Sequence, residues 1–179
     1  MILKSSARGG ALDLSLHLSN AIDNEKVTVK SVTGATSDSL YEAFQEWDII
    51  ASQSKATKPF YSLSINPDPH QRNWTEAEWE KAIATIEQEL GLKDQPRAIV
   101  FHDKLGASGI ERRHCHVVWS RINGHTLKAI PYSHDRYKLQ RVAKELAKEF
   151  DLELRWKKER KKTQSFDHAK SHGVNRDSE

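Results

Sequence analysis

The chain has 179 residues, enough for one domain to bury a core without disulfides or a structural metal. Its single cysteine, Cys115, excludes an intrachain disulfide, and the formal net charge is only +3. The first ten residues lack the apolar segment of a signal peptide, and no stretch of about 20 apolar residues could span a membrane. We therefore expect a reducing, cytoplasmic compartment and no membrane insertion.

Charge is unevenly distributed along the chain. Basic residues are concentrated at Arg112–Arg113 and at Arg155–Lys162, whereas Glu76–Glu89 is acidic. A solvated surface often carries such runs, but a surface that meets nucleic acid shows the same asymmetry. Charge alone leaves both interpretations open.

The first half of the chain alternates between helix and strand patterns. After a short apolar start, leucines at four-residue steps from Leu12 to Leu18 predict a helix. Alternating valines in KVTVKSV predict a strand that ends near Gly34. Ser37 is placed to cap the next helix, and FYSLSI predicts a strand that stops at the turn NPDP. The helix after Ser37 has a buried stripe spaced i, i+4, i+7 and i+11, formed by Leu40, Phe44, Trp47 and Ala51.

The second half continues with a helix, two strands and a final helix. Thr75 and Glu78 form a capping-box pattern before a helix that Gly91 closes. RAIVF and HCHVVW predict two strands joined by a hairpin loop, and apolar residues from Leu139 to Phe150 predict the last helix. The order β-α-β-α-β-α-β-β-α predicts an α+β fold with a central antiparallel β-sheet whose helices cover one face.

Domain boundaries follow from the same patterns. Residues 1–156 are expected to form one domain, while residues 157–179 are basic, polar and without apolar periodicity. This tail has the composition of a linker to a further C-terminal region.

The five tryptophans divide into two groups. Trp47, Trp79 and Trp119 lie on apolar faces and are predicted to be in the core. Trp74 and Trp156 lie outside those stripes, so stacking on nucleic acid bases stays open for them.

Three histidines lie on the two strands of the predicted hairpin. Alternate residues of a strand share a face, so His114 and His116 lie about 7 Å apart on one side. A suitable hairpin register brings His102 beside them. Three neutral imidazoles leave coordination positions open, as a catalytic metal requires, and they suit several divalent ions. Paired histidines are also common on surfaces and in cores, but the third histidine and the neighbouring Arg112 and Arg113 favour a metal site.

The stretch FHDK…RRHCHVVWSRIN resembles the third motif of plasmid mobilisation relaxases, the MobA/VirD-like relaxase domains of the HUH endonuclease superfamily. RGGALDLSLHL and GLKDQPRAIVFH are similar to the same family, so the resemblance extends over roughly residues 1–154. It implies an HUH relaxase-type α+β fold and a DNA relaxase, which nicks and rejoins one strand at a plasmid origin of transfer during conjugation or mobilisation. The reaction implied is metal-dependent and passes through a covalent protein–5′-phosphate intermediate.

The resemblance also implies cofactors and partners. His102, His114 and His116 would hold a divalent metal, Mg or Mn, and the substrate would be single-stranded or supercoiled plasmid DNA. Accessory relaxosome proteins and a coupling protein would assemble with the enzyme in a bacterial cytoplasm, and a plasmid or other mobile element would encode it.

One position departs from the family pattern. The family usually carries a nucleophilic tyrosine early on the first helix, and the matching position in LSLHL is His17. A related relaxase group uses histidine in this role, so the resemblance implies that His17 attacks phosphorus. Neutral imidazole is available at pH 7, whereas a phenol with a pKa near 10 needs activation. Asp13, four residues earlier, could orient the ring, although the two could also form a simple surface pair.

Other functional assignments stay open at this point. Tyr41 and Tyr61 are alternative nucleophiles, although both are expected to pack in the protein. Tyr137 would serve in a rolling-circle replication initiator or a single-strand transposase of the same superfamily. A non-catalytic DNA-binding accessory module, with remnant histidines, is a further alternative.

Supporting residues complete the prediction. Asp103 follows a metal ligand and is assigned a possible supporting role, orienting a ligand or the nucleophile. The residues predicted to bind DNA are basic: Arg8, Lys104, Arg112, Arg113, Arg121, Lys157 and Lys158.

Overall fold

The computed structural model describes residues 1–19, 26–68, 70–105 and 111–152. In this part of the chain, strands and helices follow the predicted order β-α-β-α-β-α-β-β-α. The elements are β1 Ile2–Arg8, α1 Ala11–Ser19, β2 Lys26–Thr33, α2 Leu40–Ser52, β3 Phe60–Asn66, α3 Glu76–Leu90, β4 Arg97–Leu105, β5 Glu111–Ser120 and α4 Asp135–Glu149.

The strands form one five-stranded sheet in the order β1-β3-β5-β4-β2, with antiparallel pairing between all neighbours. The β4–β5 hairpin supplies the local pairing, in which His102 lies directly opposite His114. The other strand pairs join segments that are far apart in sequence, and β3, for example, lies between β1 and β5. The predicted α+β fold with a central antiparallel sheet is confirmed.

Helices pack on both faces of the sheet, so the prediction that they cover one face is wrong. Helices α3 and α4 bury one face, whose strand residues include Val117 and Trp119. Helices α1 and α2 bury the other, through Val100 and Val118. The reason lies in β4 and β5, where consecutive residues such as Ile99 and Val100 are apolar and therefore need cover on both sides.

The polar residues of the sheet divide between its two faces. The histidine face is the one that carries His102, His114 and His116, together with Val100 and Val118. The opposite face is the one that α3 and α4 cover.

Helix ends agree with the sequence at α3 and differ at α2. Thr75 and Glu78 form the predicted capping box, and Gly91 ends α3 in the left-handed conformation at φ 69°. At α2 the N-cap is Ser39 rather than Ser37. The Ser37 hydroxyl instead accepts from the Ser39 N–H, so it closes the turn before the helix.

Tryptophan burial is more extensive than the stripes predicted. Trp47, Trp79 and Trp119 are in the core, as expected. Trp74 is also buried, at 8% exposure, with its ring centroid 4.7 Å from that of Trp79, so its assignment as a base-stacking residue is not supported. Trp156 lies outside the described residues. Among the described helices, none combines the length and apolarity needed to cross a membrane.

Candidate active site

The three histidines converge on the histidine face of the hairpin. His102 comes from β4, and His114 and His116 come from β5. One nitrogen from each ring lies within 4.8 Å of the others, and the ring centroids are 4.6–5.2 Å apart. This spacing allows three imidazoles to share one ion, so the predicted hairpin register is confirmed.

A backbone carbonyl fixes the orientation of the most buried of these rings. His102 is 3% exposed, and its Nε2 lies 2.8 Å from the Leu18 carbonyl oxygen at the end of α1. Because a carbonyl only accepts, Nε2 carries the proton and donates. The lone pair is then on Nδ1, and the Leu18 carbonyl acts as the outer partner that histidine ligands of metals commonly have.

The electrostatics of the cluster favour neutral rings. Burial, and then the neighbouring imidazoles, lowers the pKa of His114 to about 4 and that of His116 to about 3. Burial also lowers the pKa of His102. Neutral imidazole is the form that binds metal, so the residues fit a divalent cation at pH 7 without having to lose a proton first.

His17 lies beside this cluster. Its ring centroid is 6.1 Å from that of His116, and the two rings are nearly perpendicular. Buried Leu14 and Leu18 seat α1 on the sheet, which leaves His17 exposed at the edge of the cluster. Asp13, one turn earlier, lines the same small cavity of about 170 Å³ as His17.

The same cavity brings a cation near the nucleophile candidate. Arg8, at the end of β1, lines it together with Gly9 and Gly10. The structure therefore places three predicted site residues, Arg8, Asp13 and His17, around one space next to the histidine cluster.

Asp103 points away from the histidines, as strand alternation predicts. Its two carboxylate oxygens accept from Arg113 at 2.7 and 3.0 Å, and this pairing lowers the pKa of Asp103. The Arg113 guanidinium also lies 5.3 Å from the centre of the Phe101 ring. Asp103 is thus positioned to hold Arg113 rather than to contact His17 directly.

The remaining basic residues differ in whether their charged groups are free to contact DNA. Lys104 and Arg112 are directly opposite each other on the histidine face, two residues beyond His102 and His114. Arg121 is only 7% exposed, so the prediction that it contacts DNA is wrong. Lys157 and Lys158 lie outside the described residues.

Hydrogen bonds within the chain occupy the Arg121 guanidinium. Its guanidinium donates to the carbonyls of Lys58 and Ile130 and stacks on Tyr132, with its central carbon 4.4 Å from the ring centroid. The charged group is therefore used to hold the segment after β5 in place.

Two of the three alternative tyrosines, Tyr61 and Tyr137, belong to the face opposite the histidine cluster. Tyr61 is buried on the opposite face, where its hydroxyl donates to Asp135 at 2.9 Å and burial raises its pKa. Tyr137 belongs to α4, which packs on that same opposite face, and is 72% exposed. Tyr41 is 45% exposed on α2 and accepts from Gln45, so the prediction that it packs in the protein is wrong.

Two residues that the sequence did not single out share a row with the cluster. Lys4 on β1 is opposite Ser64 on β3, and Ser64 is opposite His116 on β5, so all three lie on the histidine face. Alternation within each strand was visible in the sequence. The pairing of β3 with β1 and β5 was not, because those strands are distant along the chain.

Comparison with known families agrees with this geometry. The family model "Relaxase: MobA/VirD2-like, nuclease domain" matches residues 17–152, which is most of the chain. No curated protein gives a significant match. The match contains both strands of the histidine hairpin and begins at His17, and the chain accordingly belongs to the MobA/VirD2-like relaxase nuclease domains, the enzymes that nick DNA in plasmid mobilisation.

Proposed function

We propose that the protein cuts and rejoins one strand of plasmid DNA at an origin of transfer, with His17 as the nucleophile. The observation that carries the proposal is the position of the His17 ring, 6.1 Å from His116 at the edge of the three-histidine cluster. The substrate is single-stranded or supercoiled plasmid DNA in a bacterial cytoplasm. Accessory relaxosome proteins and a coupling protein would assemble with the enzyme at the origin.

His102, His114 and His116 would hold a divalent cation, Mg²⁺ or Mn²⁺. Their neutral rings and mutual distances support a divalent cation, and the choice of Mg²⁺ or Mn²⁺ rests on the resemblance to the family. When bound, such a cation withdraws charge from a non-bridging oxygen of the scissile phosphate and thereby makes phosphorus easier to attack.

His17 performs the covalent step. The unprotonated ring nitrogen attacks phosphorus, so an N–P bond forms while the bond from phosphorus to the 3′ oxygen breaks. The 3′ oxygen takes up a proton from water and leaves as a hydroxyl, and the 5′ phosphate stays on His17 as a phosphoramidate. In the reverse reaction a 3′ hydroxyl attacks phosphorus, gives its proton back to water and displaces the imidazole, which reseals the strand.

Neighbouring side chains assist through position and charge. Asp13 accepts from the other ring nitrogen of His17 as positive charge develops there, because both line one cavity. Arg8, Lys104 and Arg112 offset phosphate charge, and Arg113, which Asp103 holds on the opposite face of the hairpin, adds its charge at the same end of β5. Residues 157–179, with Lys157 and Lys158, would add contacts to the DNA backbone that do not depend on base sequence.

Mapping the covalent adduct tests the proposal. The protein is incubated with labelled single-stranded origin DNA and Mn²⁺, digested, and searched for the peptide that carries nucleotide mass. We expect the adduct on the His17 peptide, with the acid lability of a phosphoramidate. His17→Ala should form no adduct, whereas His125→Ala, which removes an exposed histidine in a loop, should react as the wild type does.

Two outcomes would contradict this mechanism. An acid-stable adduct on Tyr41, Tyr61 or Tyr137 would show a tyrosine nucleophile. DNA binding without cleavage in any divalent metal would instead indicate an accessory DNA-binding module.

A further inference from the structure

A polar cleft of about 420 Å³ opens beside the histidine cluster. Its walls are the end of β3 with the two residues after it, the segment before α3, and the start of β5. His114 lines this cleft and also belongs to the histidine cluster, so a molecule in the cleft adjoins the metal-binding rings. The volume is within the range of small-molecule sites.

The cleft exists because β5 extends past its neighbour β3. The β3–β5 register stops at the pair Ile65–Cys115, and β3 itself ends at Asn66. Pro67 follows and has no N–H with which to continue the pairing. Arg112–His114 therefore keep β4 on one side and turn their other side toward the cleft.

Two like charges meet at the rim of this cleft. Lys104 and Arg112 are direct cross-strand partners, and both line the cleft. Like charges in that position destabilise a strand pair. A bound anion between them would remove the repulsion, so the pair favours an anionic ligand such as a phosphate.

The interior offers groups that suit a nucleobase. The carboxamide residue Asn73 and the carboxylate residue Asp68 line the cleft, and amide and carboxylate groups form hydrogen bonds with base edges. Trp74 and Trp79 supply an apolar wall. The cleft thus combines a cationic rim with a mixed polar and apolar interior.

We propose that this cleft is a subsite for one nucleotide of the DNA strand, next to the scissile phosphate. The nucleotide's phosphate lies between Lys104 and Arg112, and its base enters the cleft toward Asn73, beside the apolar wall to which Trp74 contributes without stacking on the base. The inference rests on the proposed function. It adds a site for the neighbouring nucleotide, and binding at this site does not require the covalent step at His17.

Nuclear magnetic resonance of the ¹⁵N-labelled full chain tests the subsite without cleavage. The four deoxynucleoside 5′-monophosphates are titrated in the presence of EDTA, with inorganic phosphate as a separate arm. We expect at least one nucleotide to shift the Asn73 carboxamide, the Trp74 indole N–H and the His114 amide in a saturable way. Phosphate alone should shift signals near Arg112 and leave those of Asn73 and Trp74 in place.

Matched variants give the size of the effect. Lys104→Ala and Arg112→Ala should each weaken nucleotide binding about tenfold, the loss expected for one charge-assisted contact. Lys128→Ala, which removes an exposed lysine after β5, should not change it. Asn73→Ala should weaken nucleotide binding but not phosphate binding.

Three results would overturn the subsite. They are the absence of any saturable shift, shifts confined to the cavity of Arg8 and His17, and equal responses to phosphate and nucleotides. The outcome is separable from that of the proposed function, because His17→Ala should retain nucleotide binding while it loses the covalent adduct. An adduct on His17 without shifts in the cleft would leave the mechanism intact and refute the subsite alone.

Discussion

The two faces of the sheet use their polar groups in opposite ways. On the opposite face, buried Glu87 accepts from both Arg97 and the Trp119 indole. On that side, too, Asp135 accepts from both Tyr61 and Ser5. These groups satisfy one another within the chain, so they stabilise the fold and need no ligand.

The histidine face keeps its polar groups close together but available. One nitrogen from each of three imidazoles lies within 4.8 Å of the others, and two cations are cross-strand partners at Lys104 and Arg112. Such an arrangement gains stability when a cation joins the imidazoles and an anion joins the cations. The comparison teaches that one sheet can keep polar groups that satisfy one another on one face and the candidate metal ligands on the other.

The largest expected effect comes from removing a ligand on the histidine face. His116→Ala should lower DNA cleavage by at least about a thousandfold, because metal charge stabilisation contributes several kcal/mol. DNA affinity should largely remain, since phosphate contacts dominate binding. Cleavage assays, binding titrations and thermal melts of the same preparation measure the three quantities. A variant that unfolds rather than simply losing cleavage would indicate a structural metal.

A large core residue of the opposite face should affect stability instead. Trp119 is fully buried, and Trp119→Ala should lower the free energy of unfolding by about 3–5 kcal/mol. Urea denaturation gives this value. Cleavage per folded molecule, assayed well below the melting temperature, should change little. Loss of cleavage in fully folded protein would break the separation between the faces.

A smaller effect is expected for the hydroxyl of Tyr61. Tyr61→Phe removes one hydrogen bond to Asp135 and should cost about 1 kcal/mol of unfolding free energy. The yield of the protein–DNA adduct should equal that of the wild type, because this side chain lies on the opposite face. Quantitative gel analysis of the adduct checks the second point, and loss of the adduct would return Tyr61 to the list of nucleophiles.

An effect no larger than this concerns the pH dependence of stability at the start of α3. Bonds from Arg72 and Thr75 lower the pKa of Glu78 from 4.5 to about 2. The stabilisation is therefore complete above pH 4.5 and is lost as pH falls toward 2. Glu78→Gln should cost about 1 kcal/mol at pH 7 and much less at pH 2, as thermal melts at the two values would show. An equal cost at both values would contradict the assigned cause.

Local patterns explain what the sequence predicted correctly. The capping box of Thr75 and Glu78 depends on residues three apart. The convergence of His102, His114 and His116 depends on one hairpin and on strand alternation. Each signal is contained within a short segment, so the sequence displays it directly.

Contacts between distant segments explain what the sequence did not predict. Arg121 looked like a surface cation, but the carbonyl of Lys58, 63 positions earlier, and that of Ile130 enclose its guanidinium. Trp74 lies outside any helical stripe and is covered by Phe150, with ring centroids 5.2 Å apart. These environments depend on which elements become neighbours, and periodicity within one element carries no information about that.

The hydrogen bond from His102 to the Leu18 carbonyl joins the ion site to the helix that carries His17. The bond makes Nδ1 of His102 available to the proposed metal only while α1 occupies its place on the sheet. Metal affinity and the docking equilibrium of α1 are therefore thermodynamically linked, and linkage is reciprocal. Metal binding therefore opposes displacement of α1 from the sheet, and displacement of α1 weakens metal binding by the same factor. If His17 is the nucleophile, as proposed, a DNA strand attached to it would pull on this helix, and mechanical load on the transferred strand would reach the proposed metal site through a single backbone carbonyl.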